Sequence, residues 1–178
     1  MERRRNWLRL NRIIFGIILV LALPNDSKTI SMDGPVMIFL CDDDEDEEFF
    51  LRAALHDLEV NFELKSFLKG SELFYALEHG SVVPDLIILD LRMPEENGLE
   101  CLKKIRNNDR YSNVVVIIHS TSALMKDVDT AFLSGAGAYL VKTGSAEDYR
   151  RNICKILQRE RGELLRPSRE RFFLLSMG

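Results

Sequence analysis

PDLIILDLRMPEENGL, residues 84 to 99, decides the fold. Its apolar residues Leu86 to Leu89 run straight into the carboxylate of Asp90. A short unbroken apolar run closed by turn residues fits a strand buried on both faces, as in a parallel sheet, better than a half-exposed one. Asp90 therefore stands at the carboxyl end of that strand, the edge where open α/β sheets gather their ligands and chemistry. Pro94, Asn97 and Gly98 then shape a structured loop.

Outward from this stretch, apolar strand-like runs alternate with amphipathic segments of helical period. Val36 to Leu40 is the first strand, followed by Cys41 and the acid run Asp42 to Glu48. A helix to about Leu58 is expected to turn Phe49, Phe50, Ala53, Ala54 and Leu58 inward. Asn61 to Phe67 is the second strand, and Ser71 is expected to cap a helix that ends near Gly80. After the third strand, Gly98 opens a helix carrying Leu99, Leu102 and Ile105. Val114 to Ile118 is the fourth strand, with His119, Ser120 and Thr121 behind it and a helix from about Ala123 to Ser134. Ala138 to Val141 is the fifth strand, and a helix from about Ala146 to Gln158 follows. Five strands alternating with five helices make parallel βαβ units with helices on both faces, an α/β fold.

The chain is thus read as residues 1–34, an N-terminal extension, residues 35–158, a single folded domain, and residues 159–178, a C-terminal tail. The extension pairs a basic start with an eleven-residue apolar run, Ile13 to Leu23. It lacks a small-residue cleavage site and is short for a bilayer span, so an upstream segment absent from the working protein fits better than an anchor or a cleaved signal. Membrane association is expected only through residues 1–31. The tail is expected to fray rather than to dock.

The formal net charge of −4 hides an asymmetry. Residues 1–31 hold six Lys/Arg against two Asp/Glu, and residues 159–178 hold five against three, leaving −10 for the middle. A centre this acidic argues against direct nucleic-acid binding, which needs a basic footprint. Cys41, Cys101 and Cys154 are far apart in apolar contexts, as reduced core cysteines would be.

The strands deliver Asp42 and Asp43, Asp90, Ser120 and Lys142 to their carboxyl ends, all on one edge of a parallel sheet. Clustered carboxylates repel, and a hard divalent cation, with Mg²⁺ the natural choice beside a phosphoryl group, relieves that repulsion. An ammonium and a hydroxyl opposite suit the remaining phosphoryl oxygens. The set points to phosphoryl transfer onto a carboxylate. The neighbouring acids read as a solvated helix start, with Asp44 and Glu47 as a capping box, and His119 reads as a satisfied or solvated histidine rather than a ligand.

FLCDDDED, LIILDLRMPEENGLE, HSTS and AYLVK together resemble the receiver domain of two-component response regulators, over about residues 35–158. The resemblance implies a flavodoxin-like fold, a five-stranded parallel sheet in the order 2-1-3-4-5. It implies that Asp90 is phosphorylated, that Asp43, Asp90 and the backbone carbonyl of Arg92 ligate Mg²⁺, and that Asp42 acts mainly through water. Ser120 would bond the phosphoryl oxygen, Lys142 would pair with it, and Tyr139 matches the aromatic whose rotamer follows the active state. Thr143 departs from the pattern, because the family commonly places a cis proline after its lysine. A non-proline cis bond costs about 2.5 to 4 kcal/mol, so a trans bond and a less firmly placed Lys142 are expected.

The expected function is that of a stand-alone receiver that takes phosphate from a histidine kinase or phosphotransfer protein in the cytoplasm and offers a changed surface to an unidentified downstream protein. It is not an enzyme beyond its own phosphorylation and dephosphorylation. The resemblance puts that surface on the fourth helix, fifth strand and fifth helix, with Lys126, Asp129, Arg150 and Arg151 as contacts. Two alternatives stand beside it: a receiver-shaped interaction module that is never phosphorylated, and a haloacid dehalogenase-type hydrolase suggested by Asp42-x-Asp44.

Overall fold

A computed structural model describes residues 35–174. The readings made on residues 1–34 and 175–178 lie outside the described residues. Five parallel strands form the centre: β1 (Val36–Cys41), β2 (Phe62–Phe67), β3 (Leu86–Asp90), β4 (Val115–Ser120) and β5 (Ala138–Val141). Their spatial order is 2-1-3-4-5, as the family resemblance implied, and a short sixth strand, β6 (Phe173–Leu174), extends the sheet beyond β5. The helices are α1 (Asp46–Asp57), α2 (Gly70–His79), α3 (Gly98–Arg106), α4 (Met125–Leu133), α5 (Ala146–Leu157), α6 (Arg161–Leu165) and α7 (Arg169–Phe172).

Side chains alternate across each strand and feed two cores. Phe39, Ile87, Leu89, Val116, Ile118 and Tyr139 pack under α2, α3 and α4. Ile38, Leu40, Ile88, Ile117 and Leu140 pack under α1 and α5. Burial on both faces is why these strands read as unbroken apolar runs. Asn97 and Ser145 cap α3 and α5, their side chains accepting from the backbone N–H of Leu99 and Asp148.

Three local expectations are corrected. α1 buries Leu51, Ala54 and Leu55, leaving Phe49 at 70% and Phe50 at 43% exposure. The buried stripe follows the 3.6-residue period through Leu51 and not through the paired phenylalanines. Ser71 lies inside α2 and does not cap it; Glu72 reaches back instead, accepting from Leu68 N at 3.1 Å. The third concerns the tail, which docks through residue 174 rather than fraying. Leu164 and Phe172 are buried in the two cores. Arg161 pairs with Asp85 at 3.2 Å, and Arg169 pairs with Asp129 on α4. Gly137 permits this approach, since a Cβ there would stand 2.4 Å from the carbonyl oxygen of Leu164.

Candidate functional site

The alternation that builds the cores also builds the site. Two residues beyond Leu40, Ile88, Ile117 and Leu140 come Asp42, Asp90, His119 and Lys142, on the α1/α5 side of the sheet edge. Ser120 continues Ile118 and so takes the opposite side, with Tyr139. The register sets Asp90 directly beside His119.

Lys142 organises the cluster. Its Nζ donates to Asp42 Oδ1 at 3.0 Å and stands 2.7 Å from Asp42 Oδ2, 3.1 Å from Asp90 Oδ1 and 3.5 Å from Glu47 Oε1. Burial alone would pull the ammonium down, but the hydrogen bond to Asp42 and the fields of Asp42, Asp90 and Glu47 outweigh it and hold the amine above its ordinary range. Burial pushes Asp42 up to about 6, against the opposing pull of Lys142. Glu47 is raised for the same reason.

Asp90 is buried, and its Oδ2 accepts from the backbone N–H of Arg92, which fixes the start of the following loop. Gly98 closes that loop by donating to Leu91 O at 3.1 Å. Its backbone lies so close to β3 that a Cβ would come within 2.1 Å of Asp90 O. Asp43 is exposed, and the Arg92 side chain lies 3.7 Å from Asp127. Ser120 is fully buried, its Oγ accepting from Ser122 N at 3.2 Å, and the buried Tyr139 hydroxyl donates to Ser122 O at 2.9 Å. The bond after Lys142 is trans, as expected for Thr143.

Two residues join the cluster that sequence reasoning set aside. Glu47 forms no capping box; it turns inward, while Asp44 Oδ1 accepts from Asp46 N at 3.0 Å and satisfies the helix start. His119 is buried rather than open to solvent. It is 1% exposed, neither ring nitrogen has a hydrogen-bond partner among the described residues, and Nδ1 lies 3.7 Å from Glu47 Oε2. Burial and the neighbouring Lys142 charge lower its pKa to about 3, so the ring is neutral. Both had a signal: Glu47 lies four residues before buried Leu51, and His119 two beyond buried Ile117.

Residues 38–153 match the response regulator receiver domain family. The chain is 41% identical over 92 residues to the nitrate/nitrite response regulator NarL of Escherichia coli K12, covering 52% of this chain and 39% of NarL. It is 30% identical over 143 residues to the transcriptional regulatory protein TrcR of Mycobacterium tuberculosis, covering 78% of this chain and 51% of TrcR. It therefore spans about half or less of the length of these two relatives, against 84% of the probable methanogenesis regulatory protein FilR2 of Methanothrix harundinacea, to which it is 27% identical. Among solved structures, the phosphorylated cyanobacterial phytochrome response regulator RcpA superimposes with a TM-score of 0.64 at 24% identity, over 69% of this chain and 91% of RcpA. The Mn²⁺-bound response regulator Rcp1 does so with the same score and identity, over 75% of this chain and 97% of Rcp1. Both show the fold. Among the described residues no helix is long and apolar enough to cross a membrane. A family match over more than half of the chain, on a 2-1-3-4-5 sheet, makes this protein a member of the response regulator receiver domain family.

Proposed function

We propose that Asp90 is a phosphoacceptor whose Mg²⁺-supported phosphorylation changes the surface offered to a partner. The observation that carries this reading is the Lys142 ammonium held between Asp42 and Asp90, at 2.7 and 3.1 Å. Receiver domains are signalling phosphoacceptors rather than conventional enzymes, served by histidine kinases or phosphotransfer proteins and read by downstream targets. Such donors are cytoplasmic, and the reading carries that location with it.

In the reaction an Asp90 carboxylate oxygen attacks phosphorus and the bond from phosphorus to the donor's imidazole nitrogen breaks. The electron pair leaves with the imidazole, and an acyl phosphate forms. Positioning and charge neutralisation are most of what this transfer asks of a protein. Lys142, already beside Asp90, pairs with the incoming phosphoryl oxygens. The donor set fits Mg²⁺, because Asp42, Asp43 and Asp90 offer hard carboxylate oxygens that one ammonium does not balance. Asp43, Asp90 and the Arg92 carbonyl would hold the ion, with Asp42 reaching it through water, and the ion when bound neutralises phosphoryl charge.

Ser120 links this chemistry to the surface. Its Oγ now accepts from Ser122 N, and Ser122 O accepts from Tyr139. A Ser120 hydroxyl drawn toward a phosphoryl oxygen gives up the first bond and unsettles the second, which frees Tyr139 to change rotamer beside α4. Lys126 and Arg151 are exposed on the adjoining helices, whereas Asp129 is engaged by Arg169.

The test is intact-mass analysis of the full chain after exposure to acetyl phosphate and Mg²⁺, beside Asp90→Asn. One phosphoryl adduct in the parent and none in the variant supports the reading. No adduct in a folded, Mg²⁺-loaded parent overturns it in favour of an interaction module that is never phosphorylated.

A further inference from the structure

The receiver reading uses Asp42, Asp43, Asp90, Ser120 and Lys142, and leaves Glu47 and His119 without a task. A buried imidazole with both nitrogens unpartnered is costly, since desolvation of a polar group without a compensating bond destabilises the fold. Its surroundings are equally specific. His119, Asp42 and Glu47 each present a ligand atom, and the three atoms lie within 4.8 Å of one another. Asp42 Oδ2 is itself buried and faces the Lys142 ammonium at 2.7 Å, and Glu47 keeps 14% of its side chain exposed.

We propose that Asp42, Glu47 and His119 form a second, inner cation site, more buried than the exposed Asp43, that takes an imidazole-binding transition cation such as Zn²⁺ in preference to Mg²⁺. Ligand chemistry gives the preference. Mg²⁺ is hard and keeps oxygen ligands and water, whereas neutral imidazole with carboxylates suits zinc and its first-row neighbours. Glu47 Oε2 and His119 Nδ1 are already 3.7 Å apart. Tetrahedral zinc bonds of about 2.0 to 2.2 Å set ligand atoms roughly 3.4 Å apart, so atoms already within 4.8 Å of one another need close by little more than an ångström.

Lys142 is the resident cation here, since its ammonium rests on Asp42 and Glu47. A divalent ion at the inner site competes with it for the same oxygens. Occupancy would therefore loosen the lysine that the phosphoacceptor reading depends on, a consequence that rests on that reading although the binding itself does not.

The experiment is a titration of the metal-stripped full chain with Co²⁺ in excess Mg²⁺, followed by its visible absorption bands, with Zn²⁺ as the displacing ion. One equivalent of Co²⁺ that resists Mg²⁺ is expected. His119→Val and Glu47→Gln should each weaken it by about tenfold or more while Mg²⁺ binding to His119→Val is unchanged, as loss of an inner ligand but not of the outer site requires. Lys142→Met should tighten Co²⁺ in the His119 background and not in the His119→Val background. Co²⁺ that Mg²⁺ displaces fully, or that binds His119→Val as well as the parent, would overturn the proposal and leave only the outer acidic site. Neither result depends on acetyl phosphate labelling, so failure here and failure of the phosphoacceptor reading are separate outcomes.

Discussion

Lys142 Nζ stands 2.7 Å from Asp42 Oδ2, although the two residues are one hundred apart in the chain. The contact joins the ends of β5 and β1, strands separated in the sheet by β3 and β4. With 14% of the Lys142 side chain exposed and 1% of that of Asp42, it is a largely desolvated pair. Removing one partner from such a pair strands the other charge, a loss of about 3 kcal/mol or more. Lys142→Met should therefore unfold at lower urea at neutral pH. Mg²⁺ should restore more stability to the variant than to the parent, because the stranded carboxylates then have a cation again. Equal midpoints in parent and variant would mean that the ammonium does not balance these acids.

The backbone of the phosphoacceptor loop makes a different demand. Gly98 opens α3 where a Cβ would meet the Asp90 carbonyl oxygen at 2.1 Å, a backbone atom that no side-chain rotation can move. Gly98→Ala should lower stability by about 2 to 3 kcal/mol, as forced overpacking does. Gly144 has no atom of the described residues within 4 Å of the corresponding position, so Gly144→Ala is the control and should change stability by less than about 0.5 kcal/mol. Thermal melts of the two variants decide it, and similar melts would show that the loop accommodates a side chain.

The strand-end residues were legible in the sequence because each follows an apolar run that ends at one sheet edge; Asp42, Asp90, Ser120 and Lys142 needed only that reading. Glu47 and His119 were not, for opposite reasons. Glu47 sits in an acid run whose composition suggests solvent, and only its phase relative to Leu51 and Ala54 marks it as inward. His119 read alone is an ordinary strand-end histidine, and only the two-residue alternation through Ile117 puts it in the row of Asp42 and Asp90. The tail escaped because helices of five and four residues and a two-residue strand are too short to carry a period.

That tail is held by one aromatic more than by its charges. Phe172 is fully buried, its ring 5.1 Å from Phe132 in an edge-to-face arrangement on α4. Phe172→Ala should cost about 3 kcal/mol or more, as loss of a buried aromatic does. The Arg169–Asp129 pair is exposed at 40% and 53%, so Arg169→Ala should cost less than about 1 kcal/mol. Chemical denaturation of both variants makes the comparison. A Phe172→Ala protein as stable as the parent would mean that residues 169–174 do not rest on the domain in solution.

His119 gives the fold a signature in acid. The imidazole is buried and neutral, its pKa lowered to about 3 by desolvation and by the Lys142 charge. An unfolded histidine titrates near 6.5, so below that pH the unfolded state takes up a proton that the folded state refuses. The stability contributed by the buried neutral ring is thus complete above about pH 6.5 and is lost as pH falls toward 3, amounting to about 3 kcal/mol by pH 4. Asp42 and Glu47 slope the other way, since burial raises their pKa values and their protonation in acid relieves the fold. The parent's own pH profile mixes the two trends, and the difference between parent and His119→Val isolates the imidazole. Urea midpoints from pH 7 down to pH 4 should fall more steeply in the parent than in His119→Val. Parallel profiles would mean that the ring takes up a proton inside the fold, with Glu47 Oε2, 3.7 Å from Nδ1, as its partner.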